Sequence, residues 1–466
     1  MTIKNITIII FGATGDLTKR KLIPALYQLI KHKKIENVLI IGAAFNDAHV
    51  RDVIDDSLSF IQNPNNAIIQ TLYDSFYYKK VNFTELHDFV ALNDFVKNCE
   101  KDYSGTHNRL FYCATASHFF APITDYCFQA GLLHRTTIKD TFWHRIVYEK
   151  PFGHDLNSAQ DINQAIAAII DESQVYRIDH YLTKEIVSNI AMIRFTNCVL
   201  EPLWSHQYID QVNIIVSEKL GIEGRGGYYD AYGALKDVVQ NHILEILALV
   251  CMEAPEKLSG DYIRTERVKV LEKTRYVDGI LGQYDGYLAE GNVREHSDTD
   301  TYAFLKLAVD TMRWSGVPFY IKTGKCLDKK ETVIHIKFKQ VDCLLLRGCP
   351  LESNWLTIRV DPESIIQLIL NVKNSFNADR TTPVAMELIH EKITGVESAQ
   401  AYEVLLQEAM RGEQSISVRV DEIEYAWKII DHIKTQQLPL YIYEKGSEGP
   451  REAMQFIKKH GIKKRA

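Results

Sequence analysis

The sequence predicts a two-part α/β protein: a doubly wound domain over residues 1–180, then a larger α+β domain with a mostly antiparallel sheet over residues 181–466. Three observations predict it. The first part alternates nearly continuous apolar runs with amphipathic stretches, as parallel strands covered on both faces by helices do. Its first apolar run ends directly in a glycine-rich turn, GATGDL. After Asp179 helical segments come first, and strands then follow one another with few helices between them.

Taken in order, strands are expected at Asn5–Phe11, Asn37–Ile41, Tyr77–Val81, Arg109–Ala114, Arg145–Glu149 and Gln174–Ile178. Between them, apolar residues recur at helical spacing in Lys19–His32, His49–Ile61, Thr84–Cys99, Ala121–Ala130 and Asn157–Ile170. The second part opens with helices at Thr183–Thr196 and Ala231–Met252. Strands follow at Tyr302–Val309, Pro318–Lys322, Thr332–Phe338, Asn354–Val360, Ile365–Val372 and Pro383–Ile389. Within them Ile334, Ile336 and Phe338 alternate with His335, Lys337 and Lys339, which marks a half-exposed strand. No internal repeat or low-complexity linker is visible, and the basic tail Lys458–Ala466 reads as a solvated end.

The chain has 466 residues, which at about 150 per domain makes two or three domains. Such a length buries sizeable cores without disulfide or metal staples. Lys and Arg number 54 against 60 Asp and Glu, a net charge of −6. No global basic surface is therefore on offer to a nucleic acid or an anionic membrane, and a phosphate site must be a local cluster of cations. The eight cysteines form no C-x-x-C pair and no zinc-like spacing, so no metal centre is expected. Cys113 and Cys251, inside apolar runs, read as buried reduced thiols; Cys343 and Cys349 belong to the same reduced set. The run Ile6–Phe11 is too short for a signal segment, and no stretch reaches the ~18 apolar residues of a membrane helix. A soluble, cytoplasmic protein is expected.

The chemistry-bearing groups cluster where the strands end. The turn Gly12, Ala13, Thr14, Gly15, Asp16 and Leu17 lets backbone approach a pyrophosphate whose charge then faces helix amides, as in a Rossmann-like dinucleotide-binding domain. The full G-x-G-x-x-G pattern is missing, and an ordinary tight turn is the alternative, but placement at the first βα turn of an alternating domain favours the dinucleotide site. Past the second strand, an arginine would accommodate a ribose 2′-phosphate and an acid would suit a bare hydroxyl. The chain has Ala43, Ala44, Phe45, Asn46 and Asp47 there, with Arg51 beyond, which leaves the choice open. Lys150 follows the fifth strand, pointing either into the crevice where ligands bind or into solvent. Asp179, His180, Tyr181 and Lys184 form the densest polar group, suited to a phosphate and equally readable as a surface salt-bridge cluster. His242 falls on the apolar face of its helix, with Asp237 and Asn241 nearby; it is a hydrogen-bonded core residue or, given a carboxylate partner, a base. The loop holding Lys325, Lys329 and Lys330 either closes over an anion or is a solvated turn.

Six motifs occur together in one order: GATGDLTKRKLIPALY from Gly12, EKPFG from Glu149, RIDHYLTKE from Arg177, EGRGGYYDAYGALKDVVQNH from Glu223, RWSGVPFYIKTGK from Arg313 and AMRGEQ from Ala409. In them the chain resembles the glucose-6-phosphate dehydrogenases from end to end. The resemblance implies oxidation of C1 of glucose 6-phosphate to a 1,5-lactone, the opening step of the oxidative pentose phosphate route. Hydride passes to NADP or, in some members, NAD. It also implies roles: His242 as general base, Asp179 bonded to the other imidazole nitrogen, and His180, Tyr181 and Lys184 on the 6-phosphate. Lys150 would lie between sugar and nicotinamide, Glu218 and Asp237 would accept sugar hydroxyls, and Lys325 and Lys330 would approach the substrate as further cations. Gly12 to Leu17, Phe45 and Lys150 would line the dinucleotide. The implied assembly is a homodimer, or a homotetramer of dimers, built through the second domain's sheet.

Three positions depart from the family's pattern. Phe45 stands where an arginine is usual, which weakens the hold on a 2′-phosphate and brings an NAD-preferring enzyme into view. Thr183 replaces a glycine of the phosphate loop, and Ala114-Thr115-Ala116-Ser117 replaces two prolines beside the nicotinamide. The competing reading, from another class, is a catalytically silent relative that binds a dinucleotide or sugar phosphate as a sensor. Lys150, Asp179 and His242 are all present and speak against it.

Overall fold

The computed structural model describes residues 2–101, 108–137, 139–341, 352–374, 381–389 and 401–463; Cys343, Cys349 and the end of the basic tail lie outside them. The chain divides into two compact units. One comprises Met1–Thr183, Lys257–Arg264 and Ala399–Glu424, the other Lys184–Glu256, Thr265–Ser398 and Tyr425–Ala466.

In the first unit the six expected runs are parallel strands: β1 (Ile3–Phe11), β2 (Ile35–Ala44), β3 (Phe76–Lys80), β4 (Asn108–Cys113), β5 (His144–Tyr148) and β6 (Val175–Ile178). The sheet order is β15-β6-β5-β4-β1-β2-β3, where the two-residue β15 (Ser417–Val418) runs antiparallel to β6. Ile8, Ile9 and Ile10 are all buried, which a strand covered on both faces requires. Helices follow each crossover, and one of them, Asn66–Ser75, has no counterpart in the expected pattern; the Asn65 side chain caps it, accepting from the Ala67 N–H at 2.9 Å.

This unit is wider than residues 1–180. The helix Ala401–Arg411 returns to it and buries Leu405, Leu406, Ala409 and Met410 in the core that contains Ile8 and Leu26. The Arg145 guanidinium fastens its end, donating to the Ala409 and Met410 carbonyls at 2.9 and 2.7 Å.

The second unit holds a nine-stranded sheet of order β14-β13-β12-β11-β7-β10-β9-β8-β16. Its strands are β7 (Ile209–Ser217), β8 (Thr274–Tyr284), β9 (Tyr302–Val309), β10 (Phe319–Gly324), β11 (Glu331–Phe338), β12 (Trp355–Asp361), β13 (Ile365–Lys373), β14 (Thr381–Ile389) and β16 (Leu440–Tyr443). Among the described residues only β7–β10 and β8–β16 pair parallel in this sheet. Strands β9 to β14 coincide with the expected runs, and in β11 Ile334 and Ile336 are buried while His335 and Lys337 are part-exposed. β8 went unread because Asp278, Gly279 and Gly282 dilute its strand character. The single helix expected over Ala231–Met252 is instead a series: Gly226–Ala234, a wider π-helical stretch Leu235–Ile243, and Leu244–Cys251.

Among the described residues six cysteines are free thiols, Cys113 and Cys251 being buried. Among the same residues no helix is long and apolar enough to cross a membrane.

Candidate active site

In the first unit β1 runs straight into Gly12. Its φ is +88°, and a Cβ there would stand 2.4 Å from the Ala114 carbonyl oxygen, so the ends of β1 and β4 approach only because no side chain intervenes. The turn is fixed by its own backbone: the Gly12 and Ala13 N–H groups donate to Ala43 O at 2.8 and 3.2 Å, and Gly15 N–H to Gly12 O at 3.0 Å. The Thr18 hydroxyl adds a bond to Gly12 O at 3.0 Å. The chain then coils through Thr18–Leu22 into the helix Ile23–Lys31. A backbone cradle with no Cβ at Gly12, opening onto a helix start, fits a dinucleotide pyrophosphate.

β2 delivers Phe45 beside it. The Phe45 ring is 40% exposed and lies 4.5 Å from that of Phe83 and 5.6 Å from that of Phe119, centroid to centroid. Cations in the neighbourhood are engaged. Lys80 pairs with Asp47 at 2.8 Å, Lys19 with Asp56 at 2.5 Å and Arg20 with Asp16 at 2.7 Å. The Arg51 guanidinium sits 5.8 Å from the Tyr73 ring centroid. The end of β2 thus presents rings where a cation would meet a 2′-phosphate. Phe83 and Phe119 escaped the sequence reading because isolated aromatics near strand ends look like core.

β5 ends in Glu149 and Lys150, followed by a cis Lys150–Pro151 peptide. Glu149 is buried, and its Oε1 accepts the Tyr112 hydroxyl at 2.5 Å. Burial pushes its carboxyl up, opposed by the Tyr112 and Tyr402 hydroxyls and by the Lys150 charge. Tyr402 comes from the returning helix, so no local pattern could have announced it. Gly153, with φ +81°, has the Ala159 amide 2.7 Å from where a Cβ would be.

β6 leads to Asp179, which is buried and organises the next turn. Its Oδ1 accepts the Tyr181 N–H at 2.8 Å and its backbone oxygen accepts the Leu182 N–H at 3.1 Å. The Thr183 hydroxyl donates to His180 O at 2.8 Å, a bond that glycine could not make. His180 and Tyr181 are half-buried, with ring centroids 4.9 Å apart.

In the second unit the parallel neighbours β7 and β10 end side by side, Glu218 N–H donating to Gly324 O at 2.9 Å. The next residue on β10's side, Lys325, is buried: its Nζ donates to Glu218 Oε2 at 2.5 Å and stands 5.1 Å from the Tyr229 ring centroid. Lys330 behaves differently, being exposed and paired with Asp361 at 2.9 Å. Lys184 is the residue that opens the helix Glu185–Phe195. Asp237 and His242 share the π-helical stretch, which starts afresh after the backbone breaks helical geometry at Gly233. His242 is buried, and Asp237 Oδ1 accepts the Tyr228 hydroxyl at 3.2 Å. Burial, then the Asp237 charge, holds the Tyr228 hydroxyl well up. Tyr228 and Tyr229 entered the sequence reading only as letters of the motif that begins at Glu223.

Both parts of the chain match descriptions of one family. Residues 9–189 match "Glucose-6-phosphate dehydrogenase, NAD binding domain" and residues 191–465 match "Glucose-6-phosphate dehydrogenase, C-terminal domain". The glucose-6-phosphate 1-dehydrogenase of Bacillus subtilis (strain 168) is 36% identical over 479 residues, covering 98% of this chain and 97% of its own length. Glucose-6-phosphate 1-dehydrogenase 5, cytoplasmic, of Arabidopsis thaliana is 35% identical, covering 98% of this chain and 92% of its own. A solved glucose-6-phosphate dehydrogenase in complex with its substrate glucose-6-phosphate matches with a TM-score of 0.91 at 30% identity, covering 100% of this chain and 99% of that one. With both halves matched and full-length relatives above 30% identity, the chain belongs to the glucose-6-phosphate dehydrogenase family.

Proposed function

We propose that the chain oxidises C1 of glucose 6-phosphate to the 6-phospho-1,5-lactone, with His242 taking the proton of the C1 hydroxyl. The observation that carries this reading is where the side chains sit. Gly12, Lys150 and Asp179 follow β1, β5 and β6, and Glu218 and Lys325 follow the parallel pair β7 and β10. Carboxyl ends of parallel strands are where open α/β sheets place ligands.

A base on a regular element, buried as His242 is, stays within hydrogen-bond reach of one substrate atom. Asp179 is assigned to steady its second ring nitrogen and the imidazolium that forms. Glu218 and Asp237 accept sugar hydroxyls. His180, Tyr181 and Lys184 take the 6-phosphate by charge and hydroxyl donation. Lys150 binds between sugar and nicotinamide, and Lys325 contributes its charge from beside Glu218. Lys330 joins them by giving up Asp361 when the anion arrives. The bound dinucleotide supplies the hydride acceptor, its pyrophosphate held by Gly12 to Leu17.

The family's usual cofactor is NADP. A second reading, NAD used alongside or ahead of it, is favoured by the Phe45, Phe83 and Phe119 rings and by the engagement of Lys19, Arg20, Arg51 and Lys80 elsewhere. Support for a homodimer, and for a tetramer of such dimers, comes from β13 and β14. Their register sets Leu368 opposite Met386 and Leu370 opposite Val384, so these side chains share a face, and Leu370, Val384 and Met386 are exposed. A second copy of the chain is the occupant. The name of the Arabidopsis relative supports a cytoplasmic enzyme.

The test is nicotinamide reduction followed by absorbance, with glucose 6-phosphate against free glucose and NADP against NAD. Phosphate-dependent reduction is expected. None from folded protein would leave only the silent, sensor-like relative.

A further inference from the structure

We propose that Asp300 is a positioning residue for this reaction, holding the start of the helical stretch that carries Asp237 and His242. Any helix start leaves its first N–H groups without intrahelical partners. Here the start lies inside a helical series running from Gly226 to Cys251, because the backbone leaves helical geometry at Gly233 (φ +67°, ψ −179°) and resumes it at once. Asp300 meets the two amides that follow. The Ala234 N–H donates to its backbone oxygen at 2.8 Å, and the Leu235 N–H donates to its Oδ2 at 2.8 Å. A Cβ at Gly233 would stand 2.7 Å from Asp300 Oδ1, so the glycine is what allows the carboxylate to approach. Gly233 and Asp300 form one joint.

Downstream of that joint the turns are π-helical from Leu235 to Ile243, an uncommon geometry that concentrates at functional sites. A carboxylate at such a start also faces the positive end of the peptide dipoles. Asp300 stands in the wall of a cavity of about 870 Å³. The charged groups that line it are Asp230 from the preceding helix, Arg294 and Asp298 from the segment before β9, and Lys434 from the helix that ends at Thr435. Burial pushes the Asp300 carboxyl up to about 6, with the Leu235 amide and the Lys434 charge pulling the other way, so it is ionised at the slightly alkaline pH of an ordinary assay.

None of the groups assigned to the 6-phosphate lies on this stretch, so a loosened joint misplaces the base and the single hydroxyl contact assigned to Asp237 while the phosphate contacts stay in place. A displacement on the order of 1 Å costs a reaction about 10²-fold in rate. The experiment compares Asp300→Ala, Asp300→Ser and Asp300→Asn, each shown folded by near-ultraviolet circular dichroism, in steady-state assays with glucose 6-phosphate between pH 6 and 9. Asp300→Ala is expected to lower kcat, counted per folded enzyme, at least tenfold with KM for glucose 6-phosphate within about threefold, and the count per folded molecule removes what lost stability alone would give. Asp300→Asn, whose amide oxygen still accepts the Leu235 N–H, should restore most of that loss. Full kcat in folded Asp300→Ala overturns the proposal, and so does an Asn variant as slow as the Ala one. Should Asp300→Ala not fold, Asp300→Ser decides, since its hydroxyl falls short of the Leu235 amide; a drop in kcat is expected and undiminished kcat overturns. The proposal rests on His242 as base, which His242→Asn tests by itself: near-normal turnover there removes that reading, whatever the Asp300 variants do.

Discussion

The Lys325 ammonium lies 2.5 Å from the Glu218 carboxylate, and only the carboxylate reaches solvent: side-chain exposure is 4% for the lysine and 38% for the glutamate. The two partners are therefore unequal. Glu218→Ala strands a buried cation, a loss that runs to about 3 kcal/mol when nothing replaces the partner. Lys325→Ala leaves a carboxylate that water can solvate, at a cost nearer ~1 kcal/mol. Urea denaturation of both variants checks this order, and a Lys325→Ala protein as unstable as Glu218→Ala would contradict it.

Removing the base separates chemistry from binding. His242→Asn is expected to cut kcat by a factor on the order of 10² or more while sugar-phosphate binding stays mostly intact. Turnover from steady-state kinetics, set beside glucose 6-phosphate binding by calorimetry, reads both. Near-wild-type turnover would take His242 out of the mechanism.

Cofactor choice should turn on one ring. Phe45→Arg supplies a guanidinium at the end of β2, where a 2′-phosphate would lie. The ratio of kcat/KM for NADP over NAD should rise at least tenfold, which is about 1.4 kcal/mol of transition-state binding. An unchanged ratio would place the 2′-phosphate elsewhere.

Acid should weaken the second unit through Asp230. Burial raises its carboxyl, but Ser297, Arg294 and Tyr287 all donate to it and hold it at about 2. An unfolded aspartate titrates at about 3.9, so the folded state prefers the carboxylate and gains about 2 kcal/mol at neutral pH. Because the folded value is the lower one, that gain is complete above about pH 4 and fades as pH falls toward 2. Asp230→Asn should therefore trail the wild type by about 2 kcal/mol at pH 7 and by roughly half as much at pH 3. A gap of constant size across that range would contradict the assignment.

What the sequence disclosed follows from how local each signal is. Strands β1 and β2 announce themselves because burial on both faces demands nearly unbroken aliphatic residues, and the Gly12 turn because its backbone tolerates no side chain. β15 is two residues long and has no periodicity to detect. Glu149 was visible only as part of a motif, since its partners Tyr112 and Tyr402 arrive from β4 and from a helix in the last quarter of the chain. Asp300 was silent for the same reason: a residue in an ordinary loop gains meaning only when Leu235, 65 positions earlier, points its amide at it. Lys325 and Lys330 look alike in sequence, yet burial separates them.

The helix Ala401–Arg411 has a consequence for how the molecule is made. A ribosome releases the first 183 residues long before that helix exists, so the nascent dinucleotide-binding unit waits with an apolar patch bare where Leu405, Leu406, Ala409 and Met410 will settle. Exposed apolar surface of that kind draws chaperones and neighbouring chains. A transcript broken off before codon 401 would yield a product whose core lacks Leu405, Leu406, Ala409 and Met410, so a truncated chain keeps that patch bare.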